Sequence, residues 1–424
     1  MKRLVLKISD IEVIFALILL SVYAFTTGLA SSIYIYKRVT IPVSFALANI
    51  LLLRFRNTKK VTYMDILPLL LMMTIAFWNN QNIPRKAYES LYFMVSYFSF
   101  YMIMSHTVRC QNILLKIFYV VGMFYAVTTV ITIVSPAFFY NIVVPAFKDY
   151  GESSTTLALN YTHGFYPGLT PNVGTDAIYL VIGMGVPIAY LVTGLKKGKS
   201  LSILFLMLLF VALLATGKRA HSAFSFFAAL VAYYFMNCDK PMKRTFKILF
   251  MLTAVVALLM ILINVFPFAS RIVEVWIEKI GSDNFDTGRS VLRVAAADLF
   301  SQHPLLGIGW DGFMYQYGAT FGTQINVHFV FLQLLCEVGI LGSIPFFLFF
   351  TLSLWHTIAA MKKIAINVSN NRIVKALLFY SIFIEIFFLL YCMTGNPLYD
   401  ASMLFPYLSS CAIGEYYYRI QRER

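Results

Sequence analysis

The sequence predicts an all-α, polytopic integral membrane protein. Three observations carry that prediction. Of 424 residues, 60% are hydrophobic and only 12% are charged, where a soluble domain carries about 25% charged residues. The apolar residues gather in runs close to the length that crosses a bilayer as a helix, about 20 residues. Lys and Arg cluster between alternate runs, the bias that orients membrane helices. A soluble globular enzyme, a disordered chain, a collagen and a disulfide scaffold are all excluded. The five cysteines lie scattered in or beside apolar runs, with no CxxC or Cys/His spacing. Neither a disulfide framework nor a zinc site is indicated.

Runs at 11–30, 39–53, 62–79, 88–106 and 113–135 make an N-terminal block, 1–135. No small-residue cleavage site follows the first run, which reads as a retained helix and not as a signal peptide. A long polar stretch, 136–175, comes next. Runs at 176–194, 200–217, 221–237 and 246–268 form a central block, 176–268. A second long stretch, 269–324, precedes a C-terminal block, 325–424, with runs at 325–360, 374–393 and 402–418. That gives about twelve crossings.

The run 325–360 is too long for one simple span, since a straight helix over it would reach about 54 Å. Gly339, Gly342 and Pro345 interrupt it. Two crossings there would put Lys362, Lys363, Arg372 and Lys375 on the outer side. The expectation is one crossing, preceded by a shorter helix from about 326 to 338 that lies at or dips into the outer face.

With the N-terminus inside and twelve alternations, 23 of the 34 basic residues fall on the inner side. Both termini are therefore expected in the cytoplasm. Topology and contact with anionic lipid absorb most of the +15 net charge, so no nucleic acid partner is needed. Both long outer stretches are expected to be ordered, being neither Ser/Gly-rich nor strongly charged. The first is rich in tyrosine, including Tyr150, Tyr161 and Tyr166. The second reads as short helices joined by Gly and Pro turns.

Three arginines break the positive-inside bias by lying outside: Arg219, Arg289 and Arg293. Arg289 stands in the first turn of a helix expected over 290–303, with Asp286 or Thr287 as N-cap and Pro304 as stop. A cation there opposes the helix dipole, and a bound anion reverses that sign. Arg293 is one turn on and shares the face. The pair binds either Asp286 or lipid phosphate, or a substrate anion. Lys218-Arg219 opens a run from the outside, as a headgroup anchor or as part of a site. His328, near Asn326, is either a structural hydrogen bonder or functional. Glu337, in an apolar stretch, is functional or capped by the glycine-rich break after it. His106, His221, His356 and Glu385 have packing or interfacial readings. No DxD, HExxH, P-loop or GxSxG pattern occurs, and no metal site is expected.

Several of these segments fall in a familiar order. Thr287-Gly288-Arg289 leads to His303-Pro304-Leu305-Leu306-Gly307-Ile308-Gly309-Trp310, then Asn326-Val327-His328, then Glu337-Val338-Gly339-Ile340-Leu341-Gly342. Upstream stand Thr216-Gly217-Lys218-Arg219-Ala220 and Pro171-Asn172. Over about residues 200–350 the chain resembles the O-antigen polymerase and O-antigen ligase family. The resemblance implies a GT-C-like membrane glycosyltransferase without metal or cofactor. It would act outside the bacterial cytoplasmic membrane on an undecaprenyl-diphosphate-linked oligosaccharide.

By that resemblance Arg289 and His328 are catalytic, and Arg219, Arg289, Arg293 and Lys218 bind the diphosphate. Glu337, Asn326, His303, Trp310 and Asn172 support them. Where the family often has Trp four residues after the loop Arg, this chain has Arg293, and Lys218 replaces the usual Ser before Arg219. The implied acceptors are a lipid-linked repeat unit, for a polymerase of O-antigen or capsule, or lipid A-core, for a ligase. A chain-length regulator is a further implied partner. Polymerase is the preferred reading and ligase the alternative. A flippase is disfavoured because the charges cluster outside and not at the midplane.

Overall fold

The computed structural model describes residues 63–78, 108–147, 153–195, 199–239, 288–366 and 371–422, with isolated positions between 241 and 264. The expected spans at 11–30, 39–53 and 88–106, and most of 246–268, lie outside the described residues, as do Asp286 and Thr287. The described residues contain no strand.

The helices are α1 (Tyr63–Phe77), α2 (Val108–Val134), α3 (Ser153–Thr162), α4 (Val173–Thr193), α5 (Lys199–Ala215), α6 (Arg219–Met236), α7 (Arg289–Gln302), α8 (Gly312–Phe321), α9 (Val330–Ile366), α10 (Arg372–Tyr391) and α11 (Ala401–Arg422). Short helical turns fill Pro136–Ala146, including a π-helical turn at Phe139–Val143. Among the described residues, four helices are long and apolar enough to cross a membrane: Gln111–Val134 within α2, and α4, α9 and α10. Ile66–Phe77, Pro136–Ala146 and Ser200–Ala215 are shorter apolar helices. Large apolar side chains face outward, among them Ile340, Leu341, Ile344 and Leu348 on one stripe of α9. Such surface has no place in water and suits lipid.

Helix α4 is the hub, packing on α2, α5 and α10. Its Gly183 meets Gly122 of α2 so closely that a β-carbon on either would strike the other's backbone. Small residues at helix crossings serve this close packing in membranes. Helix α10 also packs on α6, α9 and α11. Its face is filled by residues such as Tyr380, Phe383 and Phe387.

The expected break in the run 325–360 occurs at Gly339, whose φ of 65° and ψ of −173° are not helical. The leading segment begins at Val330 and not at 326, because His328 adopts a φ of 56° that no helix can continue. The carbonyls of Cys336 and Glu337 accept from the N–H groups of Ile308 (3.0 Å) and Gly309 (2.8 Å). On the other side of the break, Ile340 and Leu341 donate to the carbonyls of Pro304 (2.9 Å) and Leu305 (3.3 Å). The segment 304–309 thus satisfies the backbone groups that the break frees. Unsatisfied backbone is not tolerated at a lipid-facing position. A β-carbon on Gly339 would collide with Leu305 and Leu306, and one on Gly307 with Glu337.

Polar side chains also link the helices, as where Tyr380 OH donates to the Ile182 carbonyl at 3.3 Å. At one end of the bundle Tyr63 OH meets His356 Nε2 at 2.7 Å, and His356 Nδ1 pairs with Glu415. Arg419 Nε donates to Glu415 at 2.6 Å, and Arg372 Nη1 donates to the Gly194 carbonyl at 3.0 Å. His356, read as packing, is therefore the centre of a buried polar cluster. Glu385 likewise accepts from Thr357 (2.6 Å) and Ser353 (3.1 Å). At the other end stand α7, α8, the starts of α4, α6 and α9, and the link from α10 to α11.

Candidate active site at one end of the helix bundle

Helix α7 begins at Arg289, with Gly288 as N-cap in the left-handed region (φ 77°). The cap is glycine and not Asp286 or Thr287, because a backbone with positive φ favours a residue without a β-carbon. The helix ends at Gln302 with His303 as C-cap, directly before the expected stop at Pro304. One face of α7 packs Leu292 and Ala296 with Phe313 of α8, Val327 and Cys336. Described residues of the second long stretch thus carry a small core of their own. That core holds Arg289 and Arg293 against the bundle.

Arg293 is fixed from two sides. Its Nη2 donates to the Met393 carbonyl at 3.3 Å, and its guanidinium lies 5.4 Å from the Phe329 ring centroid. Lys218 is the N-cap position of α6, after a turn at Thr216-Gly217. Phe165 packs against Gly217, and the Tyr166 N–H donates to the Ala215 carbonyl at 2.9 Å. The Lys218 side chain reaches the first turn of α4, its Nζ 3.9 Å from where a Gly174 β-carbon would stand. Asn172 caps α4 by accepting from the Thr175 N–H at 2.8 Å. Arg219 is the first residue of α6, beside Lys218.

The charges of Arg289, Lys218 and Arg293 act on His328. Burial, and then these charges, lower its pKa to about 4. The ring is therefore neutral at physiological pH. Asn396 Nδ2 donates to His328 Nδ1 at 3.3 Å. Nδ1 is then an acceptor, and the proton of the neutral ring sits on Nε2. The arrangement suits a hydrogen-bond donor near neutrality better than a proton acceptor.

Asn326 and Glu337 belong to the frame behind His328. Gln333 Nε2 donates to Asn326 Oδ1 and to Glu337 Oε1, both at 2.9 Å, and Gln333 Oε1 accepts from the Val327 N–H at 3.3 Å. Glu337 Oε2 accepts from the Tyr399 hydroxyl (2.7 Å) and the Asp311 N–H (3.0 Å). Glu337 is fully buried and pairs with none of the basic residues in these contacts. Trp310 is buried between Phe346 and Tyr399, with centroids at 5.8 and 5.0 Å. His303 is exposed at the end of α7.

Tyr161 of the first long stretch stacks on Phe139 at 4.1 Å. One of its faces is thus committed to packing and not offered to a ligand.

Residues 204–347 match a family model described as O-antigen ligase. The chain carries a domain of the O-antigen polymerase and ligase family. Members of that family are membrane glycosyltransferases and ligases. No curated protein matches the chain. The family domain spans Lys218, Arg219, Arg289, Arg293, His303, Trp310, Asn326, His328 and Glu337. Asn172 and the segment 392–400 lie outside it, yet both reach the same end of the bundle.

The structure adds residues that sequence reasoning passed over. Asp176 accepts from Thr129 (2.7 Å) and the Gly168 N–H (3.0 Å), anchoring the stretch before α4. Gln333, Tyr399 and Asn396 complete the frame around His328. The polar break between the two last apolar runs was the visible signal for Asn396 and Tyr399. His221 is buried, and the charges of Lys218 and Arg289 act on it.

Proposed function

We propose that this protein is a twelve-span, GT-C-type glycosyltransferase of the bacterial cytoplasmic membrane that polymerises a surface polysaccharide. In this reading the glycan leaves an undecaprenyl diphosphate and joins a lipid-linked repeat unit on the outer face. The supporting observations are that the Arg293 guanidinium lies 5.4 Å from the ring of Phe329, next to His328, and that the charges of Arg289, Lys218 and Arg293 act on the neutral His328 ring. Such a cluster answers a leaving group that carries two phosphates. Cations aimed at growing negative charge lower the barrier without a metal. Arg289 and Arg293 offer forked donors that fit phosphate oxygens, and Lys218 and Arg219 add charge. His328, with its proton on Nε2, holds an oxygen of the acceptor or donor in line. Asn326, Gln333, Glu337 and Tyr399 keep that ring in place. An activated leaving group lets one displacement suffice, with no covalent intermediate.

The description of the matched family model favours a second reading, a ligase that moves the finished glycan to lipid A-core or another acceptor. Deleting the gene and examining the lipid-linked glycans decides between them. Single repeat units on the carrier mark a lost polymerase. Long chains stranded on the carrier mark a lost ligase and would overturn the polymerase reading.

A further inference from the structure

Buried polar atoms without a protein partner are rare, because each costs roughly 1–3 kcal/mol. Four residues at the cationic end carry such atoms among the described residues. They are both ring nitrogens of His221, Nε of Arg293, Oγ1 of Thr394 and Oδ1 of Asn396. His221 is 4% exposed, and its ring leans on that of Tyr391, with centroids 4.4 Å apart. The segment after α10 folds back over the same tyrosine. Thr394 and Gly395 donate their N–H groups to the Tyr391 carbonyl at 3.0 and 2.8 Å, and Gly395 lies against the Tyr391 ring. Two residues on, the Asn396 amide reaches His328. Arg289 and Lys218 act electrostatically on both histidines. His221, Thr394 and Asn396 therefore form a neutral polar edge along the cation cluster.

The chemistry of that edge differs from the chemistry of the cations. An ionised diphosphate offers only acceptors, so it satisfies arginine and lysine and leaves Asn396 Oδ1 unanswered. A sugar hydroxyl both donates and accepts. It suits an imidazole, a threonine hydroxyl and an amide oxygen alike. The sugar joined to a lipid diphosphate is bonded directly to the phosphate, so its hydroxyl groups fall beside whatever binds that phosphate. We propose that His221, Thr394 and Asn396 bind the hydroxyl groups of the sugar joined directly to the lipid diphosphate. The inference rests on the diphosphate reading above.

The test uses the full chain in lipid nanodiscs and two probes. One is undecaprenyl diphosphate, and the other is the same lipid carrying a single N-acetylglucosamine. The wild type is expected to bind the sugar-bearing probe about tenfold more tightly than the bare one. Thr394→Val and His221→Phe keep shape and remove the polar atoms. Each is expected to weaken the sugar-bearing probe roughly tenfold and to leave bare diphosphate within about twofold. Thr394→Ser keeps the hydroxyl and should bind like wild type. Equal affinity of the wild type for both probes, or equal loss on both in these variants, overturns the sugar subsite. Arg289→Ala tests the underlying reading separately, since it should weaken both probes. If it weakens neither, the diphosphate clamp itself fails.

Discussion

Arg289 occupies the first turn of α7, where its charge opposes the helix dipole by about 0.3–1 kcal/mol. A residue placed against its own helix is kept for something other than folding. Arg289→Ala is expected to lower transfer at least about a hundredfold in a protein that still accumulates. Normal transfer in a well-accumulated variant would refute the clamp. His328 gives a second prediction through pH. Its ring titrates near 6.5 when unfolded and near 4 in place. As pH falls between those values, the unfolded chain takes up the proton first, so this group withdraws stability there and contributes none of the pH dependence above 6.5. His328→Asn tolerates the positive φ and removes the titration. Its thermal midpoint should fall less than that of wild type between pH 7 and pH 4.5, and identical slopes would contradict the assigned shift. The arginines stood out in the sequence because they broke the expected charge bias. His221, Thr394 and Asn396 did not, because a neutral polar residue near a helix end has a packing explanation almost everywhere.

The broken helix α9 shows how far local pattern reaches. Gly339, Gly342 and Pro345 and the distribution of lysines were enough to locate a break and to argue for one crossing. The partner of the break was not legible. Segment 304–309 is some thirty positions upstream, and backbone pairing at that distance leaves no periodicity. The four-residue offset at the start of α9 has a similar origin, since the left-handed turn at His328 is held by Asn396 from another element. Gly339→Ala should be severely destabilising, by about 3 kcal/mol or more, from positive φ and the collision with Leu305. The measure is the yield and thermal midpoint of purified protein. Gln333→Leu is a milder cut. It removes the link between Asn326 and Glu337, so transfer is expected to drop about tenfold or more in a protein that still folds.

The molecule as a whole reads as a bundle with two chemically distinct ends. The hydropathy of the sequence made the bundle legible. It did not foretell that His356, Glu415 and Arg419 would form a second buried polar cluster at the far end, since each lies in or beside an apolar run. Arginine and lysine supply the positive charge at the candidate site. Transfer by the purified protein is therefore expected to survive a strong chelator. Strict dependence on an added divalent ion would count against the arginines as the electrostatic partners.

The pairing of 304–309 with the break in α9 also bears on biogenesis. Helix α9 cannot be completed at the moment its residues leave the insertion machinery, because four of its backbone groups wait for an outside segment. That segment is made earlier and must already be in place when α9 folds. A tag or protease site inserted between Pro304 and Gly309 would therefore act like a lesion within a membrane helix, although it lies in a loop. A tag placed near Thr323, which is exposed and outside that pairing, should be carried without harm.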